Sequence, residues 1–111
     1  MLNQIVMCGR LVSDPVVIKN EEGAKVSYIT IAVPRAYKNA EGTYDTDFIK
    51  CTLWNGIAET TSDYCHKGDI VGIKGRLQTT IIEKEDGEKT YNMEVVAEKV
   101  SFLSSKKEEE E

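Results

Sequence analysis

Residues 47–54 read Asp-Phe-Ile-Lys-Cys-Thr-Leu-Trp. Side chains two apart share a face of a strand, so Ile49, Cys51 and Leu53 make one apolar row, and Phe48, Lys50, Thr52 and Trp54 make the other. The second row should be polar if it faces water. Instead it carries the only Trp of the chain and one of its two Phe, with a lysine and a threonine between them. At ~3.3 Å per residue the two rings stand roughly 20 Å apart on one surface. Two readings are open for such a row: it stacks unpaired bases, or a helix or a second subunit covers it.

Upstream, Arg35 to Thr46 is polar with a turn centred at Asn39 to Gly42, so a loop is expected there, and Pro34 is expected to end the strand before it. That strand, Val26 to Val33, sets Ile29, Ile31 and Val33 on its core face and Tyr28, Thr30 and Ala32 on the other. Gln4 to Leu11 is apolar at nearly every position, which predicts a strand buried on both faces or shared with a partner subunit. Gly9 within it marks a bulge or a close backbone approach. Asp14-Pro15 marks a turn, Val16 to Lys19 a short extended continuation, and Asn20 to Gly23 a hairpin loop.

Downstream of Trp54 the period changes. Ile57, Ala58, Thr61, Tyr64 and Cys65 share a helical face, with Asn55 as N-cap, Gly68 as the stop, and Tyr64 expected to pack rather than to function. Ile70 to Ile82 predicts a long strand with Val71, Ile73, Gly75, Leu77 and Thr79 on one side and Lys74, Arg76, Gln78, Thr80 and Ile82 on the other. Gly72 and Gly75 would let it bend. Asp86-Gly87 signals a hairpin, and Thr90 to Lys99 returns as a fifth strand with Val95, Ala97 and Met93 inward. Three strands, one helix and two strands close most economically into a barrel. The fold expected is all-β: an OB-fold, a five-stranded Greek-key barrel with one short helix between strands 3 and 4. Residues 1–103 form that domain, and 104–111, with two lysines and four glutamates, are expected to be a disordered acidic tail.

With 111 residues, 41% apolar and 30% charged, the chain has the composition of one ordinary globular domain. Its net charge of -5 counts against a simple nucleic-acid reading; residues 106–111 take -2 of it and leave residues 1–105 at -3. Cys8, Cys51 and Cys65 have no Cys-x-x-Cys spacing and read as buried, reduced thiols. No signal pattern or membrane-length apolar run is visible in the sequence, so a cytoplasmic location is expected. Cys65 beside the lone His66 is weak grounds for a metal site, and neither a metal nor another cofactor is expected.

Catalysis is not expected either. The single His sits in a polar turn, the carboxylates cluster at a hairpin tip and in the tail, and the glycines form no phosphate-cradling loop. Binding a single strand asks instead for rings and cations along a groove. Tyr37, Phe48 and Trp54 supply rings; Arg35, Lys38, Lys50, Lys67, Lys74 and Arg76 are candidate cations. A protein-interaction module, or an RNA-binding barrel, uses the same composition and stays open at this point.

The chain resembles the bacterial single-stranded DNA-binding protein (SSB) family over roughly residues 1–103. The resemblance lies in Gly9-Arg10-Leu11 with Asp14-Pro15, Arg35-Ala36-Tyr37, Asp47-Phe48-Ile49 and the Ala58-Glu59 to Tyr64 helix. It continues in Lys67-Gly68-Asp69, Gly75-Arg76-Leu77-Gln78-Thr79, Tyr91 and Glu94-Val95-Val96-Ala97. The resemblance implies a homotetramer that wraps single-stranded DNA in replication, recombination and repair. It places stacking positions on Tyr37, Phe48 and Trp54. A fourth falls on Ile82, which has no π-face and should stack more weakly. The usual Gly- and Gln-rich linker and acidic Pro-Phe tip are missing from the sequence, which ends at Glu111. That puts recruitment of replication and repair proteins in doubt and suggests a phage, plasmid or mobile-element copy, or a truncated chain.

Overall fold

The computed structural model describes residues 1–104. Its elements are β1 (Ile5–Leu11), β2 (Ile18–Lys19), β3 (Lys25–Lys38), β4 (Tyr44–Trp54), α1 (Asn55–Tyr64), β5 (Ile70–Glu83) and β6 (Lys89–Ser104). Three connections are the same turn. In Asn20–Ala24, Asn39–Thr43 and Lys84–Glu88 the first residue's N–H donates to the fifth residue's C=O at 2.9, 2.8 and 2.8 Å. The fourth residue is a glycine at φ +87°, +84° and +86°, left-handed backbone that a Cβ disfavours. Asn20 Oδ1 accepts the amides of Glu22 and Ala24, and Asn39 Oδ1 those of Glu41 and Thr43. The pattern Asn-x-x-Gly thus closes two of the three hairpins with its own side chain.

The strands form one sheet in the order β1-β5-β6-β4-β3-β2, and a further β1–β3 pairing closes β1, β5, β6, β4 and β3 into a ring. This is the expected five-stranded barrel of an OB-fold, with the short β2 appended to the rim of β3 and α1 between β4 and β5. β4 and β6 run parallel, with Cys51 opposite Val95 and Thr52 opposite Val96. Inside, Leu11, Ile31, Leu53, Val71 and Ile73 are sealed from water, each worth about 1.5–3 kcal/mol of burial. Two glycines admit close strand approach. A Cβ on Gly9 would stand 2.9 Å from the Ala32 carbonyl oxygen, and one on Gly75 would stand 2.1 Å from that of Val96. At Gly75 the β5–β6 register also shifts, Lys74 facing Lys99 and Gly75 facing Ala97, so Glu98 is the extra residue of a bulge. The bend expected near Gly75 is therefore placed on β6 as well.

Several expectations are corrected. Pro34 does not end β3: it pairs with Thr46, and β3 runs on to Lys38 where a loop was expected. Proline is tolerated because β1 pairs with β3 at Arg10–Ala32 and Leu11–Ile31, leaving Pro34 on a free edge. β1 is buried on one face only, with Val6, Cys8 and Arg10 exposed, so Cys8 is not a core thiol. Cys51 and Cys65 are buried, and burial pushes their thiols up to about 12 and about 11. Asn55 is not the cap but the first residue of α1, at φ +51°, and Trp54 caps the helix without a side-chain bond. A helix of Gly, Thr and Ser is held by tertiary contacts instead: Ala58 and Thr61 are buried, and Ser62 Oγ donates to the Pro15 carbonyl at 3.2 Å. β6 runs to Ser104 rather than Lys99, so the boundary at 103 falls one residue inside a strand, and the remainder of the expected tail lies outside the described residues. Met93 and Tyr64 are exposed, Tyr64 resting 6.0 Å from the Phe102 ring. Among the described residues, no helix is long and apolar enough to cross a membrane, and no His, Cys, Asp and Glu group could hold a metal ion.

Candidate nucleic-acid interface

β4 delivers its two rows as expected except at Thr52, which belongs to the outward row but is buried. Cys51 and Leu53 are buried and Ile49 packs against them, while Phe48 is 67% exposed, Lys50 is exposed and Trp54 keeps 37% of its surface. Across the ladder from Phe48, Lys50 and Thr52 lie Ala32, Thr30 and Tyr28 of β3. Tyr28 is an exposed ring on this surface that the sequence reading placed on the right face without assigning it a role. Its signal was present: β3 alternates as β4 does.

The same belt continues around the barrel. Thr52 pairs with Val96, and Val96 with Arg76, so Tyr28, Thr52, Val96 and Arg76 lie in one row over β3, β4, β6 and β5. With strands ~4.8 Å apart, Arg76 sits about 10 Å from Thr52 across the outer face. Arg76 is exposed, and its Nη1 donates to Gln78 Oε1 at 2.8 Å. Glu94, half-buried, accepts the Thr52 hydroxyl and sets a carboxylate in the floor of the surface. A cleft of about 290 Å³ lies beside Phe48, walled by Leu77 and Met93 from β5 and β6. Leu77 and Met93 are exposed there because the β5–β6 arm carries their row beyond the barrel; of the two, Met93 was expected inward.

The remaining candidates fall elsewhere. Arg35, Tyr37 and Lys38 stand on the β3–β4 arm, where Tyr37 is 69% exposed and Lys38 Nζ sits 5.9 Å from the ring centroid of Tyr44, its cross-strand neighbour. Tyr44 is a further exposed ring that the reading of 35–46 as a loop concealed. Arg35 is engaged by Asp47, which holds the guanidinium charged and keeps its own carboxyl below the usual range through that hydrogen bond. Ile82 is exposed on the β5–β6 arm, opposite Thr90. Lys74 lies between Val6 and Lys99, with β6 intervening before β4. Lys67 occupies the turn before β5, its amide donating to Asp14 Oδ1 at 2.7 Å. Phe48, Lys50, Trp54 and Arg76 therefore share one outer face, grouped around Thr52 and Val96, which are buried between them; Lys67 and Lys74 stand off that row.

Residues 2–103 match the model of the single-strand binding protein family. The chain is 44% identical over 106 residues to single-stranded DNA-binding protein B of Bacillus subtilis (strain 168), covering 96% of this chain and 94% of that one. It is 42% identical to single-stranded DNA-binding protein 3 of Listeria innocua serovar 6a, over 96% of this chain and 66% of that relative. Against single-stranded DNA-binding protein A of Bacillus subtilis (strain 168) the identity is 41%, over 96% and 62%. The chain thus spans nearly all of the first relative and somewhat under two-thirds of the other two.

Proposed function

The chain belongs to the single-strand binding protein family, and we propose that it binds single-stranded DNA with little regard to sequence, stacking bases on an exposed aromatic row. The carrying observation is the outward Phe48–Lys50–Trp54 row on a barrel strand whose other face is core. Rings that water would otherwise meet offer a π-face to any base, and lysine beside them offers a counterion to the phosphates. Tyr37 extends the row along one arm and Ile82 along the other, where an aliphatic side chain covers a base without stacking on it. Lys38, Lys50 and Arg76 are the cations nearest this path; a strand that wraps round the barrel also passes Lys67 and Lys74.

The deficit of positive charge fits this reading because charge is local. Lys50 and Arg76 flank the row, with Glu94 tied to Thr52 beneath it, whereas Glu83, Glu85, Asp86 and Glu88 outnumber Lys84 and Lys89 at the β5–β6 tip. The protein acts as a non-catalytic homotetramer in the cytoplasm, on strands exposed in replication, recombination and repair. Val6, 71% exposed on the outer row of β1 beside Cys8, supports assembly. Sedimentation at micromolar protein tests it: a species of four chains is expected, and a monomer would refute it.

The binding itself is tested by titrating the protein with an oligothymidylate while following Trp54 fluorescence over a salt series. Quenching that saturates, with an affinity that falls as salt rises, is expected. Absence of quenching at low salt overturns the reading. A matched RNA oligomer in competition should bind more weakly; preference for RNA would make the barrel an RNA binder instead.

A further inference from the structure

Between Pro34, opposite Thr46, and Lys38, opposite Tyr44, β3 passes through Arg35, Ala36 and Tyr37 while β4 passes through Asp45 alone. Two surplus residues on one strand leave this part of the arm without register partners and turn its side chains to new directions. Side chains take over. Arg35 Nε lies 3.2 Å from both carboxylate oxygens of Asp47, Nη2 lies 2.9 Å from Oδ1, and Nη1 stands 3.6 Å from Asp45 Oδ2. Asp45 Oδ1 in turn accepts from Asn39 Nδ2 at 3.1 Å, and Asn39 organises the turn through Glu41 and Thr43. The relay reaches from Asp47 at the barrel rim to Asn39 at the tip, and Tyr37 lies within its span.

We propose that Arg35 is a positioning residue: it braces the β3–β4 arm across the bulge and so presents Tyr37 to a base, instead of binding a phosphate. Its fork already meets a carboxylate in the two-pronged geometry that a phosphate would require. Its surroundings are also wrong for an anion. One guanidinium between two carboxylates leaves the Arg35, Asp45 and Asp47 cluster at a net single negative charge. The lowered Asp47 titration keeps that partner ionised throughout the neutral range.

This inference rests on the reading of the chain as a single-stranded DNA binder, and the experiment separates the two. Oligothymidylate affinity is measured over a salt series for the unaltered protein, Arg35→Gln, Arg35→Lys, Tyr37→Ala and Arg35→Gln with Tyr37→Ala. If the unaltered protein fails to bind, the functional reading falls. If it binds, Arg35→Gln and Arg35→Lys should each weaken binding by roughly two- to fivefold, the scale of an exposed ion pair. The salt slope should stay unchanged, and Arg35→Gln should cost nothing further once Tyr37 is Ala. Amide exchange of Ala36 to Thr43 should quicken in both Arg35 variants, including the charge-conserving one. The proposal is overturned if Arg35→Lys binds like the unaltered protein, if Arg35→Gln lowers the slope by about 0.7, the value of one single-strand phosphate contact, or if the two losses add.

Discussion

The arm between β5 and β6 keeps an unbroken antiparallel register from Gly75 opposite Ala97 to Glu83 opposite Lys89, whereas the arm between β3 and β4 loses its register after Pro34. Both end in the same five-residue turn with glycine fourth. Between base and tip they differ in what holds them. The first is held by peptide groups, which are indifferent to the side chains outside it; the second depends on Arg35, Asp45, Asp47 and Asn39. An irregular arm can aim a ring where a regular ladder cannot, since a bulge turns side chains out of strict alternation. Tyr37 stands on the irregular arm and Ile82 on the regular one.

The comparison can be broken hardest at the base of the regular arm. Gly75→Ala puts a methyl against the Val96 carbonyl, where both partners are backbone, and should destabilise the fold by about 3 kcal/mol or more, read as a lowered thermal midpoint. A midpoint within a degree or two of the original would show that the strands part easily there. Next come the two arms as DNA contacts. Tyr37→Ala should weaken oligothymidylate binding by about tenfold, within the ~1–3 kcal/mol of one stacked base, and Ile82→Ala by much less. Ile82→Trp should tighten binding, as measured by anisotropy of labelled DNA; unchanged affinity would place Ile82 outside the path. At the tips the arms should become alike: Gly42→Ala and Gly87→Ala each impose left-handed backbone on a residue with a Cβ, at about 1–2 kcal/mol each, in chemical denaturation. The smallest effect is acid. Asp47 has its folded titration lowered by Arg35, so the brace is complete above the ordinary aspartate range and is lost as pH falls through the lowered value. Carbon-detected NMR titration should show that step at Asp47, and in the Arg35→Gln protein the step should move up into the ordinary aspartate range.

Period-two reading found the rows of β3 and β4, and with them Phe48, Lys50 and Trp54, because alternation is a local property of a strand. The barrel followed from element order and from the need to cover edges. Pro34 misled because a proline ends a central strand but not an edge one, and which edge is free depends on where β1 leaves β3. The Arg35–Asp47 pair was not legible in the sequence because the partners are twelve positions apart and meet beside a bulge that no short-range signal announces. Met93 and Leu77 alternate correctly, but alternation cannot say where the barrel ends and the arm begins. Cys8 was assigned to the core for a similar reason: a strand apolar on both faces does not reveal which face lacks a cover.

The ring of strands is not joined evenly. Among the described residues β3 meets β1 through Arg10–Ala32 and Leu11–Ile31, and β4 meets β6 through Cys51–Val95 and Thr52–Val96, while the other neighbours share long ladders. The barrel is in effect two shells, β3 with β4 and β1 with β5 and β6, stitched along two short seams. Each shell contains a hairpin of low sequence separation that can form early, and the seams, which join distant residues, should close last in folding and open first in native-state hydrogen exchange. The Thr52–Val96 seam runs beneath the belt between Lys50 and Arg76, so a strand lying across that belt would bridge the two shells and slow their parting.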